Sequence, residues 1–344
     1  MNRRQWRGFD RQISRWAVGL VLLVGLVLLV PLQGRAEHLK DHYRLGVLLH
    51  GNSRLETLAG FQKELANHER EESLSFAYEV RNALGEQGKL QELAEEIIRS
   101  QPDIAIAGGG LEADALKAAS AGTAIPVLFL AASSVIDRGL VASLTSPGGN
   151  LTGIETNDTL LTGKRLWYVR KLLPNSKRVL MFNFPGLSPA VEAIKVAREA
   201  AAELDFELTL IEVNDLADLR RIAGSITPEN TDVILLSPVT ILDAAQVEIL
   251  LPLSLVRKIP VMGYSMVSIE RGAFAMYGGK RFEEGRQSAG MVHALLHGTS
   301  PGEIPVETPE RIHFVINGWM VDQLGLSLPE RAWKLANDIV RVQF

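Results

Sequence analysis

The sequence predicts an α/β protein of two similar lobes, each a doubly wound parallel sheet, with a ligand cleft between them. Short apolar runs of β type alternate with amphipathic helical stretches, the pattern of parallel strands joined by crossover helices. A turn cluster, Ser146-Pro-Gly-Gly-Asn150, breaks that rhythm, and the same alternation then restarts. The length of 344 residues suits two domains at roughly 100–200 residues each.

The first series opens with Tyr43–Leu49, an apolar strand, and Leu55–Ala66, the helix behind it. Ser75–Arg81 alternates as a half-buried strand does. Glu86–Arg99 sets Leu90, Leu93, Ala94, Ile97 and Ile98 on one helical stripe. Strand Asp103–Ala107, helix Leu111–Ala121 and strand Ile125–Leu130 follow, and Leu151–Glu155 is a short extended piece beyond the turn cluster.

The second series runs through helix Thr159–Leu173, strand Arg178–Phe182 and a helix capped by Ser188, with Pro189 at its first position and Glu192 in its first turn. Strand Glu207–Val213, helix Asp215–Ala223, strand Asp232–Leu236, helix Asp243–Leu251 and strand Ile259–Gly263 complete it. The tail reads as strand Phe274–Tyr277, helix Arg281–His297, strand Ile312–Ile316, and helices Gly318–Leu324 and Glu330–Val340. It is too short for a core of its own, so the chain returns to the first lobe and crosses once more. The expected lobes are therefore 43–153 with 279–310, and 154–278 with 311–344. Ligands of such sheets sit beyond the carboxyl ends of the strands.

Residues 1–36 are of another kind. Arg3, Arg4, Arg7, Arg11 and Arg15 precede an unbroken apolar run from Ala17 to Leu32, and Gly34-Arg35-Ala36 supplies small residues at the −3 and −1 positions of a cleavage site. That order defines a secretory signal. The run of 16 residues is short of the about 20 that a spanning helix needs, yet long for a signal peptide. Two outcomes stay open: a cleaved signal peptide, or a signal anchor formed by residues 17–32. Either way the basic end stays cytoplasmic and the body lies outside, which predicts a periplasmic protein.

Charge separates the same two segments. Six arginines and one aspartate give residues 1–36 a net charge of +5, leaving −9 on the remaining 308 residues. An acidic body has no electrostatic footprint for a nucleic-acid backbone. The chain has no cysteine, which excludes disulfides, thiolate metal sites, a cysteine nucleophile and lipid attachment after the apolar run.

Several stretches then stand out: RLGVLLHGN (44–52), DIAIAGG (103–109), IPVLFLAA (125–132), GLVASLTSPGGNLTGI (139–154), TGKRLWYVRKLLPNSKRV (162–179) and LLHGTSPGEIPVETPERIHFVINGWMVDQLGLSLPE (295–330). In order and spacing they resemble the substrate-binding proteins of ABC transporters with the type I periplasmic-binding-protein fold, in the branch that includes tryptophan- and phenylalanine-binding members. The resemblance covers nearly the whole chain after the export segment, and SLxxPGGNxTG followed by the GKRL helix is its most specific part. It departs in two places. Ala131-Ala132-Ser133-Ser134-Val135 stands where the family usually carries an Asp-Pro pair, which puts reception of a ligand ammonium in doubt. The loop Gly278-Gly279-Lys280-Arg281 is more basic than usual and suits an anionic group if it faces the cleft.

Candidate ligand residues lie at strand ends. His50, Asn52 and Ser53 precede a helix whose free amides suit a carboxylate, against the alternative of an ordinary capped loop. Gly108 and Gly109, in a glycine triplet, allow close backbone approach to a ligand or serve a tight turn alone. A dinucleotide site is not indicated, because GxGxxG and its distal acid are missing. Ser133, Ser134, Asn183, Ser237 and Tyr264 end four further strands, Tyr264 being able either to stack on a ligand or to pack the domain. His293 and His297 stand four residues apart as HALLH, without a third ligand, and His38 and His42 share the spacing beside the cleavage site. Neither pair indicates a metal. GYSMV (263–267) lacks the second glycine of a nucleophile elbow.

The expectation is an extracytoplasmic solute-binding protein of an ABC-type importer, closing two lobes around an amino acid or small carboxylate, with an inner-membrane ABC permease as partner. It needs no cofactor, metal or catalytic residue. A membrane-tethered periplasmic ligand sensor is the alternative, with membrane contact through the uncleaved N-terminal segment. A secreted hydrolase on an α/β scaffold is the remote one.

Overall fold

The computed structural model describes residues 41–343 apart from Ser73, 186–187 and 240–242; the export segment 1–36 and His38 lie outside the described residues. The first sheet holds β1 (His42–Leu49), β2 (Ser75–Asn82), β3 (Ile104–Ala107), β4 (Val127–Ala132) and β5 (Leu151–Glu155). Their order is β2-β1-β3-β4-β5, with every pair parallel. Between the strands run α1 (Leu55–Glu72), α2 (Leu90–Arg99) and α3 (Gly110–Ala119).

Burial on both faces explains the continuous apolar runs. Strands β3, β4 and β5 are buried at every position, as sheets covered by helices on two sides require. One face packs Leu48, Ala105 and Phe129 against Ile97 and Leu116, and the other packs Leu45, Val47 and Leu128 against Phe61, Leu65 and Val292.

The second sheet holds β6 (Arg178–Asn183), β7 (Glu207–Glu212), β8 (Val233–Leu235), β9 (Val261–Gly263), β10 (Ala275–Gly278), β11 (His313–Asn317) and β12 (Asp338–Val340), in the order β12-β11-β10-β9-β8-β6-β7. Its helices are α4 (Leu161–Leu172), α5 (Ser188–Glu203), α6 (Leu216–Ala223), α7 (Asp243–Arg257) and α8 (Met266–Glu270). After β10 comes α9 (Arg281–Leu296), which packs on α1 and against β4 and β5 of the first sheet. The chain then returns for β11, α10 (Gly318–Leu324), α11 (Glu330–Trp333) and β12.

Two details differ from the sequence expectation. The pair β10–β11 is antiparallel, because β11 enters the second sheet after the excursion through α9. The helix expected over Glu330–Val340 stops at Trp333, and Asp338–Val340 adds a parallel edge strand to β11. A clasp between Asn337 and Phe314 starts that pairing: Asn337 N–H donates to the Phe314 carbonyl at 2.8 Å, and Phe314 N–H donates to Asn337 Oδ1 at 2.8 Å. Strand pairing overrides a weak helical period here.

The SPGGN stretch leads into β5 and fixes it in place. Asn150 Nδ2 donates to Ser120 Oγ at 2.9 Å and to the Ile125 carbonyl at 3.1 Å. Gly153 has φ +153°, and a Cβ there would collide with the Phe129 carbonyl oxygen, so only glycine fits. The strap that follows α9 runs along the outer edge of β5. Thr152 Oγ1 donates to the Ile304 carbonyl at 2.8 Å, and Glu155 N–H donates to the Glu307 carbonyl at 2.8 Å. Residues 154–155 thus belong to the first sheet, and the chain first crosses after Glu155. Among the described residues no helix is long and apolar enough to cross a membrane.

Candidate functional site

The crossing segment after β5 is held by a buried charge network. Asp158 accepts from Arg165 Nη2 through Oδ1 at 3.1 Å and from Arg281 Nη2 through Oδ2 at 2.6 Å. Arg165, the arginine of the GKRL stretch, is fully buried and also donates to the carbonyls of Tyr277 and Asp158, at 2.7 and 2.5 Å. Arg281 Nη1 donates to Glu284 Oε2 at 2.7 Å. Burial pushes the Glu284 carboxyl above its ordinary pKa against the pull of Arg281. Network and crossing together join the first turn of α9 to the entry of α4.

Beside this network lies a cavity between the two sheets. Arg54, Ser133 and Arg138 line it from loops of the first sheet, Thr156 and Arg281 from the crossings, and Pro189, Pro238 and Val239 from the second-sheet side. Its volume is about 30 Å³, room for roughly one water. A larger solute enters only if the two sides part.

Each lining arginine is anchored from behind. Arg54 ends a 3₁₀ turn (Asn52–Arg54) after β1 and donates from Nε to Glu112 Oε1 at 2.9 Å. Glu112 is fully buried in the first turn of α3 and also accepts from His50 N–H at 2.9 Å. Arg138 donates from Nη1 to Asp114 Oδ2 at 2.5 Å and from Nε to the Ser133 carbonyl at 3.1 Å. Burial raises the Asp114 pKa despite Arg138 beside it. No carboxylate lines the cavity among the described residues; Glu112, Asp114, Asp158 and Glu284 are the acids paired with its arginines.

The glycine triplet has its explanation in these side chains. A Cβ on Gly109 would overlap the Arg54 guanidinium, and one on Gly110 would lie 3.0 Å from Arg138 Nε. The backbone of 109–110 is therefore a ledge on which two guanidinium groups rest.

Of the residues expected at the site, Ser133 lines the cavity. Ser134, with φ +57°, reaches across: its Oγ donates to Glu192 Oε2 on α5 at 2.9 Å, the oxygen that also accepts from Thr159 Oγ1 at 3.1 Å. Gly108 and Gly109 are buried beneath Arg54 rather than open to a solute. His50 is half-buried, its pKa lowered by burial, and serves through its backbone N–H; Asn52 and Ser53 are exposed and outside the cavity. Asn183 lines a separate groove of about 420 Å³ with Pro185 and Lys195. Ser237 is fully buried, its Oγ bonded to the Phe182 carbonyl and its backbone pinned by Gln246. Tyr264 is fully buried in the second core, with Arg165 5.5 Å above its ring. Strand ends that face neighbouring loops, not the cleft, account for these last three.

Arg54 and Arg138 were not singled out in the sequence, whereas Arg281 belongs to the basic loop Gly278–Arg281; all three line the cavity. Lys280 from that loop turns away, to Asp338 Oδ2 at 3.1 Å. His293 and His297 stack with ring centroids 4.0 Å apart, and His297 Nδ1 lies 2.8 Å from the His293 carbonyl. No group of three or more acidic or histidine residues able to hold a metal occurs among the described residues.

The model of the family described as ABC transporter substrate binding protein matches residues 44–340, almost all of the described chain. The protein belongs to this family. A curated relative, the tyrosine-binding protein of Clostridioides difficile (strain R20291), is 25% identical over 259 residues, covering 75% of this chain and 73% of the relative. A conserved domain protein from Vibrio cholerae O1 biovar El Tor superposes with a TM-score of 0.76 at 25% identity, covering 87% of this chain and 100% of that one. A Streptococcus pneumoniae ABC domain in complex with L-Trp superposes with a TM-score of 0.77 at 20% identity, again over 87% and 100%. The two-sheet fold is that of the periplasmic binding protein-like I structures.

Proposed function

We propose that this substrate-binding protein works outside the cytoplasmic membrane as the solute receptor of an ABC-type importer, and that its solute is a small molecule bearing a carboxylate. The observation that carries this reading is the convergence of Arg54, Arg138 and Arg281 on a cavity between the two sheets. Buried guanidinium groups with fixed carboxylate partners are preorganised to receive another carboxylate. The units built on the two sheets, 43–155 with 279–310 and 156–278 with 311–344, act as lobes hinged at the crossings. A solute that touches both lobes stabilises the closed state by its differential affinity, and a permease reads that state. Relatives that bind tyrosine or tryptophan support an amino acid or other small carboxylate as the class.

A thermal-shift and calorimetric screen of the exported protein tests this. A bound solute raises the unfolding midpoint through RT ln(1 + [L]/Kd). Small carboxylates are expected to do so; a screen in which neither carboxylates nor amino acids bind removes the reading. N-terminal sequencing of the same material separates a free protein beginning at Glu37 from one held by residues 17–32.

A further inference from the structure

We infer that the solute is a dianion without an ammonium group, its anionic ends on the first-sheet wall and its hydrocarbon part against the second; the inference rests on the solute-binding reading. Three guanidinium groups reach one small cavity from three separate segments: the loop after β1, the loop after β4 and the first turn of α9. Each keeps a nitrogen that makes no hydrogen bond among the described residues. Arg54 commits Nε and Nη2 to Glu112 and leaves Nη1. Arg138 commits Nε and Nη1 and leaves Nη2. Arg281 commits both Nη atoms and leaves Nε. One carboxylate is satisfied by a single bidentate guanidinium. Three guanidinium groups set apart on the ledge of 109–110 and on α9 suit two anionic groups.

An ammonium finds no place in this arrangement. Among the described residues no carboxylate lines the cavity, so the cation of a zwitterion would meet guanidinium groups there and no acid directly. Glu192 is the acid closest in role; its Oε2 accepts two hydroxyls, from Ser134 and Thr159, and among the described residues it is not part of the cavity lining.

The facing wall points the same way. Pro189 and Pro238 have no N–H to offer, and Val239 N–H is bonded to the Ser237 carbonyl at 2.8 Å. Among the described residues that wall provides apolar contact and suits the methylene stretch of a short dicarboxylate.

Isothermal titration of the full exported chain with succinate, glutarate and methylphosphonate, beside acetate, L-tyrosine, L-tryptophan and myo-inositol, tests the inference. Succinate or glutarate is expected to bind at least tenfold more tightly than acetate, with methylphosphonate, which carries a single anionic group, behind them; methylphosphonate or acetate binding as tightly as the dicarboxylates overturns the inference. Arg138→Gln is expected to weaken the best dianion at least tenfold with the circular dichroism spectrum unchanged, and Arg281→Lys, which keeps the charge on Asp158 and Glu284, to weaken it less. Tight binding of L-tyrosine, L-tryptophan or myo-inositol with silent dianions overturns the inference and leaves the solute-binding reading standing. Absence of binding by any of the seven overturns both.

Discussion

Arg281 donates from Nη2 to Oδ2 of Asp158 at 2.6 Å, although 123 residues separate them in sequence. The bond joins α9, which packs on the first sheet, to the segment that leaves that sheet for the second. Asp158 is the shared counter-charge of two buried arginines, since Arg165 takes its other oxygen. Removing it leaves Arg165 without its acid and Arg281 with Glu284 alone, a change that costs about 3–5 kcal/mol when a buried pair is broken. Asp158→Ala is therefore expected to lower the unfolding free energy by that order in urea titration. Asp158→Asn, which keeps one acceptor, should lose less.

Gly109 carries Arg54 on its bare backbone, so Gly109→Ala is expected to push the guanidinium away from Glu112 and out of the cavity. Because the atom struck is the flexible end of a side chain, the stability loss should be moderate, about 1–3 kcal/mol for the disturbed Glu112 partner. Solute affinity should fall about tenfold, or 1.4 kcal/mol. Adding Gly109→Ala to Arg54→Met should change affinity little further, since both remove the same contact. Calorimetry on the four proteins of this cycle decides it; additive losses would show that Gly109 acts on its own.

Gly153 meets backbone as well as side chain. A Cβ there runs into the Phe129 carbonyl oxygen at φ +153°, inside the β4–β5 pair. Gly153→Ala is expected to cost about 3 kcal/mol or more, among the larger effects of a single substitution. A thermal midpoint close to that of the parent would contradict this packing.

Glu155 titrates in an unusual range. Burial pushes its carboxyl up to about 7, against backbone N–H bonds from Val135 and Asn157, both at 2.9 Å. The folded protein therefore holds this proton more firmly than the unfolded chain, whose glutamates lose it near 4.5. Stability from this group is fully present below pH 4.5, declines as pH rises towards 7 and is lost above it, by at most about 3 kcal/mol. Glu155→Gln cannot ionise and should lack that part of the slope. Its absolute stability should also drop, because one of the two backbone donors loses its acceptor. Unfolding free energies at half-unit steps between pH 4.5 and 8 compare the two slopes.

Most of the fold was legible because β3, β4 and β5 are buried on both faces and read as apolar runs, and because SPGGN announces the break before the second series. The edge strand Asp338–Val340 was not, since three residues carry no period of their own and depend on Phe314, far away in sequence. The site was far less legible. Arg54 and Arg138 look like solvated loop arginines until Glu112 and Asp114, contributed by α3, turn up behind them. Arg281 stood out because it ends the basic loop Gly278-Gly279-Lys280-Arg281. Ser237 and Tyr264 are buried away from the cavity for a related reason: a strand end is a place in a sheet, and only the neighbouring loops decide whether it opens on the cleft.

The unlike walls of the cavity divide the timing of capture between them. Arrival should be governed by the arginine wall, whose charge draws anions in and whose pull weakens with ionic strength. Departure should be governed by how long Pro189, Pro238 and Val239 stay seated over the bound molecule. Salt and arginine substitutions then act chiefly on association, substitutions at the prolines chiefly on dwell time, and the two rates become separately adjustable in one small protein.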